Sequence, residues 1–330
     1  QTLADAIEAA LTGLPHLEII RNGNALVAKT NLGRAQRVVI AGHIDTVPVN
    51  NNLPIRWSED EGAEWLWGRG TVDMKAGVAV AVKLAAELTE PAYDITWIWY
   101  DNEEVASELN GLGRLAAVSP ELLQADFAIL GEPSNSTVEG GCNGTLRVEV
   151  RTHGVRAHSA RAWKGENAIH KLAPALAALA AYSPATVTVD GLDYREGLSA
   201  VGVSGGVAGN VIPDEAVLTV NYRFAPDKTV AQALAHVEEV FAGFEVVVTD
   251  SAEGARPGLT AALAQDFVAA VGAEPMPKYG WTDVARFSAL GIPAVNFGPG
   301  DPSLAHTDDE RVLTSQILEC ERALRSWLSK

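Results

Sequence analysis

The sequence predicts an α/β protein with a mostly parallel sheet sandwiched by helices and an inserted α+β domain. Three observations predict it. Up to about residue 144, apolar strand-like runs alternate with helix-length segments, the pattern of parallel strands covered on both faces. Between 145 and 254 the order becomes β-α-β-β-α-β, the split-βαβ arrangement of ferredoxin-like folds. From Ala255 the first texture returns. The chain is therefore read as a discontinuous first domain, 1–144 with 255–330, interrupted by a second, 145–254, that folds on its own.

In the first domain the apolar runs 38–42, 95–100 and 127–131 read as strands. Residues 74–88, rich in Ala, Val and Lys, read as a helix, and 111–125 as another that ends before the strand at 126–130. In the insertion, 145–152 alternates like a half-buried strand and 165–182 is an Ala-rich helix. Strands follow at 198–204 and 216–224, then a helix at 229–241 and a strand at 244–249. The returning part supplies a helix at 259–271, a Gly-Trp-Thr-Asp loop, a short strand at 294–297 and a closing helix at 314–329.

Composition narrows the function. With 330 residues, 47% apolar and 20% charged, the chain is an ordinary globular protein with room for two domains. A net charge of −17 argues against nucleic acid, whose binding needs a basic face. No run approaches the ~18 uninterrupted apolar residues of a membrane helix, and no secretory signal opens the sequence. Two cysteines, Cys142 and Cys320, are too few for a disulfide framework and point to a reducing cytoplasm. The chain lacks an initiator Met and opens inside an amphipathic helix, so further residues are expected upstream of Gln1.

Five residues able to bind metal, His43, Asp73, Glu104, Glu132 and His306, lie scattered along the chain, each expected at the end of an apolar strand-like run. Open α/β sheets build their sites at the carboxyl ends of the strands. Two imidazoles and three carboxylates suit a pair of divalent cations with zinc-like preferences, a constellation of hydrolytic enzymes.

Each motif also has a plainer reading. In Gly42-His43-Ile44-Asp45-Thr46-Val47-Pro48, His43 and Asp45 lie two apart and share a face of an extended segment. Asp45 is then the hydrogen-bond partner that a metal-bound imidazole needs, or a buttress for a neighbouring ligand; the alternative is a packed strand-end His. In Gly68-Arg69-Gly70-Thr71-Val72-Asp73-Met74-Lys75-Ala76-Gly77, Asp73 stands at the mouth of a helix, either bridging two metals or capping the helix. Asp101-Asn102-Glu103-Glu104 places two acids side by side, with Glu104 as ligand and Glu103 as general base, unless the run is a solvated turn. In Gly131-Glu132-Pro133 the proline holds Glu132 extended. His306, after Gly298-Pro299-Gly300, gains meaning only with the others. His158, in the insertion, is read as an oxyanion donor. Histidines 16, 153, 170 and 236 have no clustered acids and read as structural.

In order, the GHxDTVP, GxGxxDMK, EE, GEP and late-His motifs resemble the di-zinc metallopeptidase and deacylase family, which holds acetylornithine deacetylases, aminoacylases, glutamate carboxypeptidases and succinyl-diaminopimelate desuccinylases. The likeness spans essentially the whole chain. A second set, Gly141-Cys142-Asn143-Gly144-Thr145, Arg156-Ala157-His158-Ser159-Ala160-Arg161, Ala208-Gly209-Asn210-Val211-Ile212-Pro213, Tyr222-Arg223-Phe224-Ala225-Pro226 and Lys278-Tyr279-Gly280-Trp281-Thr282-Asp283, is most similar to the actinobacterial desuccinylase branch.

The resemblance implies a zinc-exopeptidase-like catalytic domain with two Zn2+ per subunit, Co2+ or Mn2+ being able to replace them. His43 and Glu132 would hold one ion, Glu104 and His306 the other, with Asp73 bridging and an Asp73–Met74 cis peptide. The insertion would be a dimerisation lid whose His158 reaches the partner subunit's site in a homodimer. Asn143, Arg161, Asn210, Arg223 and the Gly280-Trp281-Thr282 loop would contact a small-molecule substrate. Relatives carry an arginine near Asn143 that this chain lacks, which leaves Arg161 or Arg223 to meet the substrate carboxylates. The implied reaction removes succinate from N-succinyl-LL-2,6-diaminopimelate. Other acyl-amino-acid deacylation, dipeptide hydrolysis, or zinc-dependent binding without catalysis are the alternatives.

Overall fold

A computed structural model describes residues 1–60 and 62–330 and divides the chain into two compact units. The first comprises Gln1–Gly141, Pro257–Met276 and Thr282–Lys330; the second comprises Cys142–Arg256 and Pro277–Trp281.

In the first unit the sheet places Glu18–Asn22, Ala25–Lys29, Asp94–Tyr100, Arg37–His43, Phe127–Leu130, Ala294–Asn296 and Glu139–Gly140 side by side in that order. The four strands from Asp94–Tyr100 to Ala294–Asn296 pair in parallel, and antiparallel strands flank them at both edges. Their continuous apolar sequence follows from burial on both faces. Ile40, Trp97, Trp99, Phe127, Ile129 and Val295 join one core with Ile7, Leu84, Phe267 and Trp327, which come from the helices Thr2–Leu11, Lys75–Glu87, Ala262–Val271 and Thr314–Leu328. The alternate residues Val27, Val39, Ile98 and Ala128 are equally buried, so the opposite face is covered too. Among the described residues no helix is long and apolar enough to cross a membrane.

Glycines bring one helix unusually close to the strand ends. A Cβ on Gly77 would run into the Gly131 carbonyl, and one on Gly42 or Gly131 would strike the Met74 methyl. The helix Lys75–Glu87 therefore starts directly over the ends of Arg37–His43 and Phe127–Leu130. Asp73, one residue before Met74, is carried to the same place.

The second unit has a four-stranded antiparallel sheet in the order Gly197–Gly205, Glu215–Phe224, Gly144–His153, Glu245–Ala252. With the chain order taken into account, this is the ferredoxin-like topology. Leu146, Val148, Val150, Leu218, Val220 and Tyr222 pack with Ala175, Ala233 and Val237 of the helices Ala173–Ala181 and Val230–Val240. The intervening residues Thr145, Arg147, Asn221 and Arg223 line the other face, as the period of two requires.

Several elements differ from the sequence reading for identifiable reasons. The helix expected at 165–182 begins only after Asn167, whose side chain accepts from the Ile169 and His170 N–H groups, and Pro174 restarts it as Ala173–Ala181. The helix expected at 111–125 stops at Val118, and Pro120 opens a short 3-10 turn. Segment 277–281 goes with the second unit because the Asn143 N–H donates to the Lys278 carbonyl and the Trp281 indole donates to the Glu253 carbonyl. The hairpins Arg56–Asp60 with Ala63–Trp67 and Thr186–Val189 with Leu192–Arg195 were not anticipated.

Candidate metal centre

Three neighbouring parallel strands end in donors. His43 is the last residue of Arg37–His43, Glu103 and Glu104 follow Asp94–Tyr100, and Glu132 follows Phe127–Leu130. Asp73 arrives on the loop before Lys75–Glu87, and its bond to Met74 is cis. His306 comes from the segment after the turn Pro302–Leu304, with a positive φ of 65°. All five anticipated ligands belong to the first unit.

They converge. Asp73 stands between two imidazoles: its Oδ1 is 3.0 Å from His43 Nε2 and its Oδ2 is 3.1 Å from His306 Nε2. Glu132 Oε1 lies 3.9 Å from His43 Nε2, and Glu104 Oε1 lies 3.1 Å from His306 Nε2. Two donor triads result, His43–Asp73–Glu132 and Asp73–Glu104–His306, each with donor atoms within 4.8 Å of one another. Asp73 is common to both. The helix cap at this position is Met74 and no side chain caps it, so the capping role open to Asp73 is not the one it takes.

Asp45 serves both roles that the sequence left open to it. One carboxylate oxygen lies 3.5 Å from His43 Nδ1, while the two oxygens accept the backbone N–H groups of Glu103 and Glu104, each at 3.2 Å. A proton on Nδ1 facing Asp45 leaves the Nε2 lone pair directed at Asp73 and Glu132. Asp45 thus orients one donor and fixes the backbone of the next two acids. Lys75, whose ammonium donates to the Asp45 carbonyl at 3.2 Å, was not singled out from sequence.

The cluster calls for positive charge. Burial alone would push the His43 imidazole down, yet hydrogen bonds to Asp45 and Asp73 and the charges of Glu132 and Asp73 hold it well above its usual value. Hydrogen bonds to Asp73 and Glu104 raise His306 to about 10. Burial opposes ionisation of Asp73, and contacts with both imidazoles override it and lower its carboxyl. The protonated rings do here what a divalent cation does better, and nitrogen and carboxylate donors suit zinc-like ions. The residues fit a metal.

Glu103 differs from its neighbour. It also lies within the same radius of His43 and Glu104 but joins neither triad that contains Asp73. Burial raises its carboxyl well above the ordinary range, reinforced by Glu132, Asp283 and Glu104 and opposed by His43. A carboxylate raised toward neutrality can both take and return a proton.

Other anticipated residues lie in the second unit. His158 is exposed, on a strand pair with Val211, and the Ser159 N–H donates to the Asn210 carbonyl at 2.8 Å. Its Nδ1 accepts the Ala160 N–H at 3.0 Å, so the proton of the neutral ring sits on Nε2, free to donate outward. Exposed Arg161 follows three residues on, which gathers His158, Arg161 and Asn210 on one edge. Arg223 is half-buried and makes no ion pair among the described residues; burial and nearby Arg147 lower its pKa. Asn143 is buried, its amide donating to the Arg195 carbonyl at 2.9 Å, while Gly280 is exposed and Trp281 half-buried. Thr282 belongs to the first unit, where it is buried and its hydroxyl donates to Asn296 Oδ1 at 2.9 Å.

Fold and donor cluster together define a metal-dependent amidohydrolase. The chain belongs to peptidase family M20/M25/M40, which it matches over residues 39–330. It is 56% identical over 329 residues to a Mycobacterium tuberculosis protein that carries the provisional name succinyl-diaminopimelate desuccinylase DapE, covering 99% of this chain and 92% of that one. It is 50% identical over 339 residues to the succinyl-diaminopimelate desuccinylase of Corynebacterium glutamicum, covering 99% and 91%. An M20 family metallo-carboxypeptidase from Sulfolobus solfataricus shares the fold with a TM-score of 0.76 at 17% identity, covering 99% of this chain and 92% of its own.

The separate positions of Glu103 and Glu104 lead to a clear expectation. Glu103→Gln should retain wild-type zinc affinity, measured by chelator competition, while its turnover falls roughly 10²–10⁴-fold. Near-wild-type turnover would remove Glu103 from the proton-transfer role.

Proposed function

We propose that the chain hydrolyses the amide of N-succinyl-LL-2,6-diaminopimelate to succinate and LL-2,6-diaminopimelate, with two zinc ions at the cluster centred on Asp73. The observation that carries the chemistry is the pair of donor triads sharing Asp73, with the buried Glu103 beside them. The substrate follows from the two desuccinylase relatives, which match over nearly the whole chain. His43, Asp73 and Glu132 would hold one ion and Asp73, Glu104 and His306 the other; cobalt or manganese would substitute. When bound, such ions polarise the amide carbonyl and bring a water near ionisation at neutral pH.

The protein's own groups do the rest. Glu103 takes a proton from the attacking water as the C–O bond forms, then delivers it to the amine as the C–N bond breaks. Asp45 keeps His43 and the Glu103–Glu104 backbone in place throughout. The Nε2–H of His158 donates to the oxyanion, a task for which its tautomer is already set. Arg161, Asn210 and Arg223 receive the substrate carboxylates, and Arg223 forms no ion pair among the described residues. Asn143 and the Gly280-Trp281-Thr282 loop shape the remaining contacts.

His158 would act on the site of a partner subunit, with the second unit as dimerisation lid. The edge strand Gly197–Gly205 supports this assembly. From Ser199 onward both of its faces are exposed, including Val201 at 61% and Val203 at 64%. An unprotected, valine-bearing edge invites another strand. Cys142 and Cys320 are buried and form no disulfide among the described residues, which fits a reducing cytoplasm.

Two experiments test the proposal. With zinc supplied, kcat/KM for succinyl-diaminopimelate should exceed that for acetylornithine or simple dipeptides by about 100-fold or more, and a chelator should abolish it. Preference for another acyl-amino acid would reassign the substrate, and no hydrolysis of any of them would leave a binding protein. Second, His158→Ala and Glu103→Gln should each be nearly inactive, yet co-expressed they should recover about a quarter of wild-type activity, because half of randomly formed dimers carry one complete site. No recovery would place His158 outside the partner's site.

A further inference from the structure

Asp73 is held by its side chain between two imidazoles, but something must also fix its main chain. That role falls to Glu310, which is fully buried. Its Oε1 accepts two consecutive backbone N–H groups, Val72 at 3.0 Å and Asp73 at 3.1 Å. Its Oε2 accepts from Arg69 Nη1 at 2.7 Å, and Arg69 is itself only 6% exposed. Its main-chain carbonyl accepts the Gly68 N–H at 2.9 Å. One residue thus ties down the whole 68–73 loop, and it sits four positions after His306, the imidazole that faces Asp73 Oδ2.

We propose that Glu310, neutralised by Arg69, is a positioning residue that presets Asp73 to serve both halves of the metal cluster. This rests on the reading of that cluster as a metal centre. A carboxylate that accepts two N–H groups at once holds the peptide plane more firmly than water could, since Val72 is buried and Asp73 is largely screened from solvent. The chemistry also explains why a further acid is tolerated beside Asp45, Asp73, Glu103, Glu104 and Glu132. Arg69 cancels its charge locally, so the clamp adds no repulsion to the cluster. The same residue links two segments that lie more than two hundred positions apart in sequence, and so couples the placement of His306 to that of Asp73.

The test separates a clamp from mere packing. Arg69→Met with Glu310→Gln removes both buried charges and retains an amide oxygen able to accept the two N–H groups. Arg69→Met with Glu310→Met removes the charges and the acceptor together. Zinc Kd is measured for each by chelator competition, alongside kcat and KM at saturating zinc. Zinc affinity in the first pair should stay within about threefold of wild type, and in the second should fall roughly 10–100-fold, as is usual when a group supporting a metal ligand is lost. Turnover should follow affinity while KM changes little. If the second pair does not fold, Glu310→Asp, which keeps the charge but withdraws it by one methylene, should show the same direction of loss. Equal zinc affinity in the two pairs, or undiminished affinity in Glu310→Asp, overturns the proposal. Absence of zinc binding by the unmodified protein would instead overturn the metal reading beneath it.

Discussion

Like charge has to be offset where this fold gathers it. Asp73, Glu103, Glu104 and Glu132 come to one place through three separate chain segments, and among the described residues two imidazoles face them directly. Unshielded carboxylates at such spacing raise one another's pKa. Both rings are accordingly held protonated beyond their ordinary range by the acids around them. A divalent cation relieves the same repulsion with a fixed charge and lets the rings act as neutral donors. The rest of the architecture is consistent with that requirement. Parallel strands deliver donors to one sheet edge, glycines let a helix start over that edge, and Asp45 and Glu310 fix backbone that would otherwise yield to the repulsion.

The anticipated residues fall in both units. The first carries the clustered donors that could hold a metal ion, with Glu103 beside them. The second carries His158 on a short two-stranded pair, Arg161 and Asn210 beside it in sequence or pairing, and Arg223 on the four-stranded sheet. The strongly acidic character of the chain sharpens the point. An anionic substrate would need local cationic partners against that background.

Much of this was legible in the sequence because the chemistry lies at element ends. Buried parallel strands are read as unbroken apolar runs, and a charged residue closing such a run stands out against it. That is how His43, Glu104 and Glu132 could be placed at one edge, and the structure brings them together. Asp73 was harder, since an acid before a helix is also an ordinary cap; only the structure shows that it lies between two imidazoles and does not cap the helix. Glu310 left no signal, because it belongs to the acidic run Asp308-Asp309-Glu310, and nothing local reveals that one of the three turns inward to Arg69. The helix breaks near Asn167 and Pro174 were visible as residues but outweighed by the alanine-rich context. Short hairpins such as Arg56–Asp60 with Ala63–Trp67 escape because charged residues interrupt their alternation.

The most direct test of the account is anomalous diffraction at the zinc absorption edge from crystals of the zinc-loaded protein. The account predicts two peaks on opposite sides of the Asp73 carboxylate, one against His43 and Glu132, the other against Glu104 and His306. A single peak, or peaks that avoid Asp73, would contradict it.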